Sequence, residues 1–80
     1  MGWIVYILEC ADKSLYTGIT NDIEGRLKAH EEGKGAKYTK GRGPFTLIYE
    51  EDCDDRSTAS KREMAIKRLS REEKLKLCNT

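Results

Sequence analysis

Five side chains in this sequence have the types that phosphodiester chemistry requires: Tyr6, Tyr16, Arg26, His30 and Glu63. Cleaving that bond calls for an anionic metal ligand, a cation for the scissile phosphate and a group that orients or deprotonates water. Glu63 supplies the first and Arg26 the second, and Tyr6, Tyr16 and His30 can each supply the third. Taken singly, each residue also has a structural explanation. The tyrosines suit half-buried strand positions, Arg26 can lay its stem along an apolar surface, His30 suits a helix C-terminus, and Glu63 with Lys67 is an ordinary i,i+4 pair. The conjunction is what points to chemistry. An inward carboxylate needs a metal, a cation or strong donors to offset its desolvation, and the other four residues are of that kind.

The elements that must position these groups follow from local pattern. Trp3 to Leu8 is a continuous β-branched and aromatic run, the pattern of a central strand buried on both faces. Ala11-Asp12-Lys13 supplies turn chemistry, and Ser14 to Ile19 alternates as a second strand, so a hairpin brings Tyr6 and Tyr16 together as cross-strand neighbours. Asn21 with Glu24 three residues later reads as a capping box opening a helix that Gly33 closes. On that helix, positions 23, 26, 27 and 30 share about 100° of arc, which puts Arg26 and His30 on or beside the face that packs on the sheet.

Gly33 to Pro44 is a glycine-rich basic loop, with one helical turn expected around residues 36–40. Phe45 to Tyr49 reads as the third strand and Glu50 to Asp55 as a solvated turn. A helix capped by Ser57 then runs to Leu69 with Ala59, Glu63 and Ile66 on one inward face. Ser70 with Glu73 forms a further capping box before a short last helix that turns Leu75 and Cys78 inward. The fold class expected is α+β: a three-stranded antiparallel sheet, made of the N-terminal hairpin plus a third strand, flanked by three to five helices. Residues 1–80 read as one domain, because a chain of this length needs nearly all its apolar residues for one core.

Composition narrows the setting. With 38% hydrophobic and 36% charged residues, the chain has the balance of a folded globular domain. Cys10, Cys53 and Cys78 are too widely spaced for a zinc knuckle and odd in number, so neither a disulfide framework nor structural zinc is expected. No apolar run approaches a membrane span and the N-terminus lacks the pattern of a secretory signal, which makes the cytoplasm the expected compartment and excludes a membrane partner. The net charge of +1 conceals an uneven distribution: residues 1–22 carry −2, 23–44 carry +3, 45–56 carry −4 and 57–80 carry +4. Local basic blocks suit a polyanion bound on one face, because phosphate-backbone affinity depends on local Lys and Arg rather than on the total. Lys34, Lys37, Tyr38, Lys40, Arg42 and Lys67 are the candidate nucleic-acid contacts, with Tyr38 available to stack on an unpaired base.

Val5-Tyr6-Ile7 and Tyr16-Thr17-Gly18, followed by Arg26, His30 and the helix stretch Arg62-Glu63-Met64-Ala65-Ile66-Lys67, resemble in order and spacing the motifs of the GIY-YIG nuclease superfamily. The resemblance spans nearly the whole chain. It is nearest to small stand-alone members, which carry a similar Tyr-x-Gly-Ile-Thr-Asn-Asp stretch and a Lys-Tyr-Thr loop, here Lys37-Tyr38-Thr39. Val5 stands where the first motif has glycine and Thr17 occupies the middle of the second, and neither change removes a catalytic group. The resemblance implies a metal-dependent endonuclease acting on DNA in repair or recombination, selective for structure or only weakly for sequence. It implies one divalent ion, Mg2+ or Mn2+, held by Glu63, the scissile phosphate on Arg26, and Tyr6, Tyr16 and His30 positioning or deprotonating the attacking water, with the base left open among the three. Two alternatives remain: a nucleic-acid-binding module without catalysis, and a catalytic subunit that is latent until a protein partner supplies targeting.

Overall fold

The computed structural model describes residues 2–79. Its elements are β1 (Trp3–Glu9), β2 (Leu15–Thr20), α1 (Ile23–Glu31), a single 3-10 turn (Lys37–Thr39), β3 (Thr46–Cys53), α2 (Arg56–Lys67) and α3 (Arg71–Cys78). The strands form one antiparallel sheet in the order β2-β1-β3. The α+β architecture, the central place of β1 and the number of helices are those expected from the sequence.

Burial explains why β1 is central. Val5, Tyr6, Ile7 and Leu8 are all fully buried, so both pleated faces of the strand are covered. Val5 and Ile7 point to one face, where they meet Ala59 and Ile66 of α2, with Leu77 and Cys78 of α3 and Trp3, Leu15 and Ile19 of the sheet packed around them. Tyr6 points to the other face, toward His30 of α1. The strand thus separates an apolar core from a polar site.

Four local expectations change. The side chain that caps α1 is Asp22, not Asn21: its Oδ1 accepts from the Gly25 backbone N–H at 3.2 Å. The Glu50 to Asp55 stretch is not a turn over most of its length, because β3 continues to Cys53 and pairs residue by residue with Trp3 to Tyr6. Glu50 and Asp52 point to solvent from this edge strand, where charge discourages pairing with another chain, while half-buried Glu51 accepts from the Arg62 guanidinium at 3.0 Å. The α2 cap is Asp55, whose carboxylate accepts from the Thr58 N–H at 2.8 Å, and the helix ends at Lys67 rather than Leu69. The Ser70 capping box on α3 is present in both directions, as expected. Cys10, Cys53 and Cys78 are free thiols. Among the described residues no helix is long and apolar enough to cross a membrane.

Candidate active site

Register places the first two site residues. Tyr6 pairs with Gly18 and Leu8 with Tyr16, so Tyr6 and Tyr16 are diagonal rather than directly opposed neighbours on one face of the hairpin. Their ring centroids lie 6.3 Å apart. The fully buried Tyr6 ring lies across Gly18: a Cβ at position 18 would stand 2.7 Å from the Tyr6 hydroxyl oxygen and 2.8 Å from its Cζ. Glycine at this position therefore makes the tyrosine's seat. Gly18→Ala is expected to push the Tyr6 hydroxyl off its partner and to cut activity by about tenfold to a hundredfold while the protein stays folded, since a misplacement near 1 Å costs that much. Steady-state cleavage rates alongside a thermal melt would check it.

α1 brings His30 against the tyrosines. The His30 ring is 1% exposed and stands edge-on to both, with centroids 6.0 Å from Tyr6 and 5.3 Å from Tyr16. Its two nitrogens are engaged in opposite senses. Thr39 donates its hydroxyl proton to the Ala36 carbonyl at 2.9 Å, so it can only accept at its 2.8 Å contact with His30 Nδ1. Nδ1 therefore carries the ring proton. Nε2 is left with a lone pair, and the Tyr6 hydroxyl donates to it at 2.8 Å. Burial, and secondarily the Arg26 charge, hold His30 below its ordinary pKa, which keeps the ring neutral in this role. The Tyr6 phenol is pushed up, first by burial, with the Arg26 guanidinium drawing it partly back.

Arg26 lies one helical turn before His30 on the same face. Its pKa is raised, first by its polar contact with the Tyr6 hydroxyl and further by Tyr16. Its Nε is buried and has no hydrogen-bond partner among the described residues. Glu63, on α2, is 19% exposed at its side chain and pairs with Lys67 at 3.4 Å; its charge also contributes to raising Tyr6. All five residues expected to form the site are thus coupled by contact or by charge.

No cluster of three or more His, Cys, Asp or Glu that could hold a metal exists among the described residues. A lone, mostly shielded carboxylate does not make a zinc or calcium cage. It does fit Mg2+ or Mn2+, hard ions that keep several waters and take one or two carboxylates together with substrate phosphates. Lys67, half-exposed on a flexible stem, is the cation that such an ion would displace.

The expected nucleic-acid contacts divide into two groups. Tyr38 stacks on Tyr16, with centroids 5.9 Å apart and ring planes 26° apart, and the Arg42 guanidinium lies 4.5 Å from the Tyr38 centroid while pairing with Asp12. Tyr38 and Arg42 thus reach Tyr16, as Lys67 reaches Glu63. Lys34, Lys37 and Lys40 are exposed, and among the described residues none forms a hydrogen bond or ion pair with the five. Thr39, which fixes the His30 tautomer, and Asp12, which holds Arg42, are neighbours of the candidate residues that residue pattern did not single out for that part. The only signal for Thr39 is the Lys-Tyr-Thr run between glycines, where close approach is needed: a Cβ at Gly35 would meet His30 Nδ1 at 2.3 Å.

The model of the GIY-YIG catalytic domain matches residues 2–76. A UPF0213 protein of Oceanobacillus iheyensis is 59% identical over 73 residues, covering 91% of this chain and 85% of the relative. Another, from Clostridium perfringens, is 54% identical over 76 residues, covering 95% and 82%. Among solved structures, the UPF0213 protein of Bacillus halodurans, determined by solution NMR, superposes with a TM-score of 0.63 at 48% identity, covering 99% of this chain and 84% of that one. A protein of E. faecalis, also from NMR, gives 0.65 at 38% identity, covering 96% and 83%. The order of tyrosines, arginine, histidine and glutamate thus sits inside a match that leaves out only the extreme ends, and the chain belongs to the GIY-YIG family.

Proposed function

We propose that this protein is a divalent-metal-dependent endonuclease that hydrolyses DNA phosphodiester bonds, selective for structure or only weakly for sequence, and serving repair or recombination. Membership of the GIY-YIG family points to nuclease chemistry. The observation that carries the reading is Arg26: a buried Nε without a partner, on a guanidinium whose neighbours are the Tyr6 and Tyr16 hydroxyls. A buried donor left unpaired is costly, and a phosphate oxygen is an acceptor that satisfies it and complements its charge.

The hydrogen-bond directions support one proton path. The Tyr6 oxygen retains an acceptor site while its proton already points at His30 Nε2. As water attacks phosphorus, Tyr6 takes the water proton and passes its own to Nε2, so that the tyrosine ends neutral and the histidine ends as imidazolium, while the bond from phosphorus to the leaving sugar oxygen breaks and that oxygen takes a proton from solvent. A raised phenol pKa suits this relay, because it disfavours a standing phenolate. Thr39 holds the ring in the receiving tautomer. Arg26 binds the scissile phosphate and stabilises the charge that develops on it, with Tyr16 at its side orienting the water. Glu63 would hold the metal ion, whose chemistry would be to acidify water and to neutralise phosphate charge. Free Cys10, Cys53 and Cys78 suit a reducing cytoplasm.

The test is a panel of branched, single-stranded and duplex DNA incubated with the purified protein. Cleavage with Mg2+ or Mn2+ that stops on chelation is expected. Binding without cleavage on every substrate would make the chain a binding module, and cleavage that arises only after adding cell extract would make it a subunit that waits for a partner.

The neutral His30 also sets a pH dependence. Its folded pKa lies below the ordinary 6.5, so below 6.5 the unfolded chain takes up a proton that the folded chain refuses. This contribution to stability is whole above 6.5 and is lost as pH falls through the folded value. Cleavage should follow the same limb, because a protonated ring cannot receive the Tyr6 proton. NMR titration of the His30 ring protons checks it, and a midpoint at or above 6.5 would contradict the buried neutral ring.

A further inference from the structure

The groove beside the site is lined by Leu15, Tyr16, Thr17, Tyr38, Lys67 and Lys74 and has a volume of about 400 Å³. A second cavity of about 250 Å³, lined by Ser14, Leu15, Arg71 and Lys74, shares two of those residues and so continues it along β2 toward the hairpin turn. Three cations from α2 and α3 border this track, and no carboxylate does. Lys74 is half-buried; its backbone N–H donates to the Ser70 carbonyl at 3.0 Å, but its ammonium has no hydrogen bond or ion pair among the described residues. The Thr17 Oγ is buried and unpartnered on the same stretch of β2, in a residue 3% exposed. The three lysines of the basic loop, Lys34, Lys37 and Lys40, border neither cavity.

We propose that this track, rather than the basic loop, carries the substrate strand away from the scissile phosphate, with Lys67 and Lys74 on its phosphodiesters and Arg71 at its far end. The inference deepens the nuclease reading by naming the substrate class. Rings at the wall of an open groove suit unpaired bases, which a duplex keeps stacked on one another, so the segment beside the cut is taken to be single-stranded. Cations that track a backbone beside an aromatic wall, here Tyr16 and Tyr38, are the combination that grips single strands without reading sequence. Lys67 has two employments in this arrangement, pairing with Glu63 in the free protein and with the strand once a metal ion takes the carboxylate.

The test is fluorescence anisotropy with a labelled single-stranded oligonucleotide and with the duplex of the same sequence. The proteins compared are the wild type, Lys74→Glu, Lys74→Ala and a triple Lys34→Ala/Lys37→Ala/Lys40→Ala variant, each checked for folding by its amide NMR spectrum, in chelator so that cleavage plays no part. Lys74→Glu is expected to weaken single-strand binding by about tenfold, and Lys74→Ala to lower the slope of log affinity against log salt by about 0.7, the value for one lost phosphate contact on a single strand. The triple variant should change single-strand binding less than Lys74→Glu does. Unchanged binding in folded Lys74→Glu, or a larger loss in the triple variant, would overturn the track. A protein that binds through Lys74 yet cuts nothing would leave the track standing and remove the nuclease reading, so the two failures are separable.

Discussion

Glu63→Gln is expected to lower metal-dependent cleavage by about a thousandfold, because in the proposed site an ion that contributes several kcal/mol to the transition state would lose its carboxylate ligand, and each 1.4 kcal/mol is tenfold in rate. The substitution keeps shape and hydrogen-bonding capacity while removing the charge. It also frees Lys67 from its 3.4 Å ion pair, which adds an uncompensated cation next to the bound strand. DNA binding should therefore be retained or slightly strengthened while turnover disappears. Single-turnover cleavage and anisotropy on the same preparation check both halves. Stability should change little, since the pair is an i,i+4 contact with one half-exposed partner and such pairs are worth only a few tenths of a kcal/mol.

Arg26→Ala should be nearly as severe, with a loss of about a hundredfold to a thousandfold, the range for removing one charge-stabilising donor from a developing oxyanion. Unlike the Glu63 change, it should also weaken binding, because Arg26 meets the phosphate in the ground state. It carries a second signature. The Arg26 charge helps to depress His30 and to draw Tyr6 down, so without it the His30 titration should move up and the Tyr6 phenol should titrate still higher. A purely structural arginine would predict lost stability with an unmoved histidine. Arg26→Lys restores charge but not the planar fork, and should recover only part of the activity.

Much of this arrangement is legible in residue order, for physical reasons that differ from element to element. β1 is readable because five consecutive β-branched or aromatic residues followed by a leucine have no alternative but burial on both faces. The Tyr6–Tyr16 pairing follows from a hairpin with a three-residue polar turn, although only the actual register shows it to be diagonal, with Gly18 opposite Tyr6. Arg26 and His30 are readable from helical spacing, since two cation-capable groups on a packed stripe must have a reason to be there. The Ser70 capping box is wholly local and appears as expected.

What stayed hidden depends on tertiary partners. Glu50 to Cys53 has the composition of a turn, yet it is strand because β1 offers an unpaired edge and Arg62 neutralises Glu51. Asp22 and Asp55 displace Asn21 and Ser57 as caps because the helices begin one residue later and two residues earlier than periodicity alone suggests. Thr39 lies in a three-residue 3-10 turn with no periodicity to betray it, and its value comes only from the 2.8 Å contact with a histidine nine residues away. The loop lysines present a different case. Charge density marks them as a binding face, but the cavity beside Tyr16 is bordered by lysines of α2 and α3, which sequence separates from the hairpin by about fifty residues.

The most direct test of the whole is a double-mutant comparison under single turnover on single-stranded DNA with Mg2+: wild type, Glu63→Gln, Arg26→Ala and the two combined. Groups that act on one phosphate as a unit are strongly non-additive. The double variant should therefore cleave about as slowly as the worse of the two singles. Losses that multiply in full would mean that the two residues act independently rather than as one site, and cleavage by the double variant at the wild-type rate would place the activity elsewhere in the molecule.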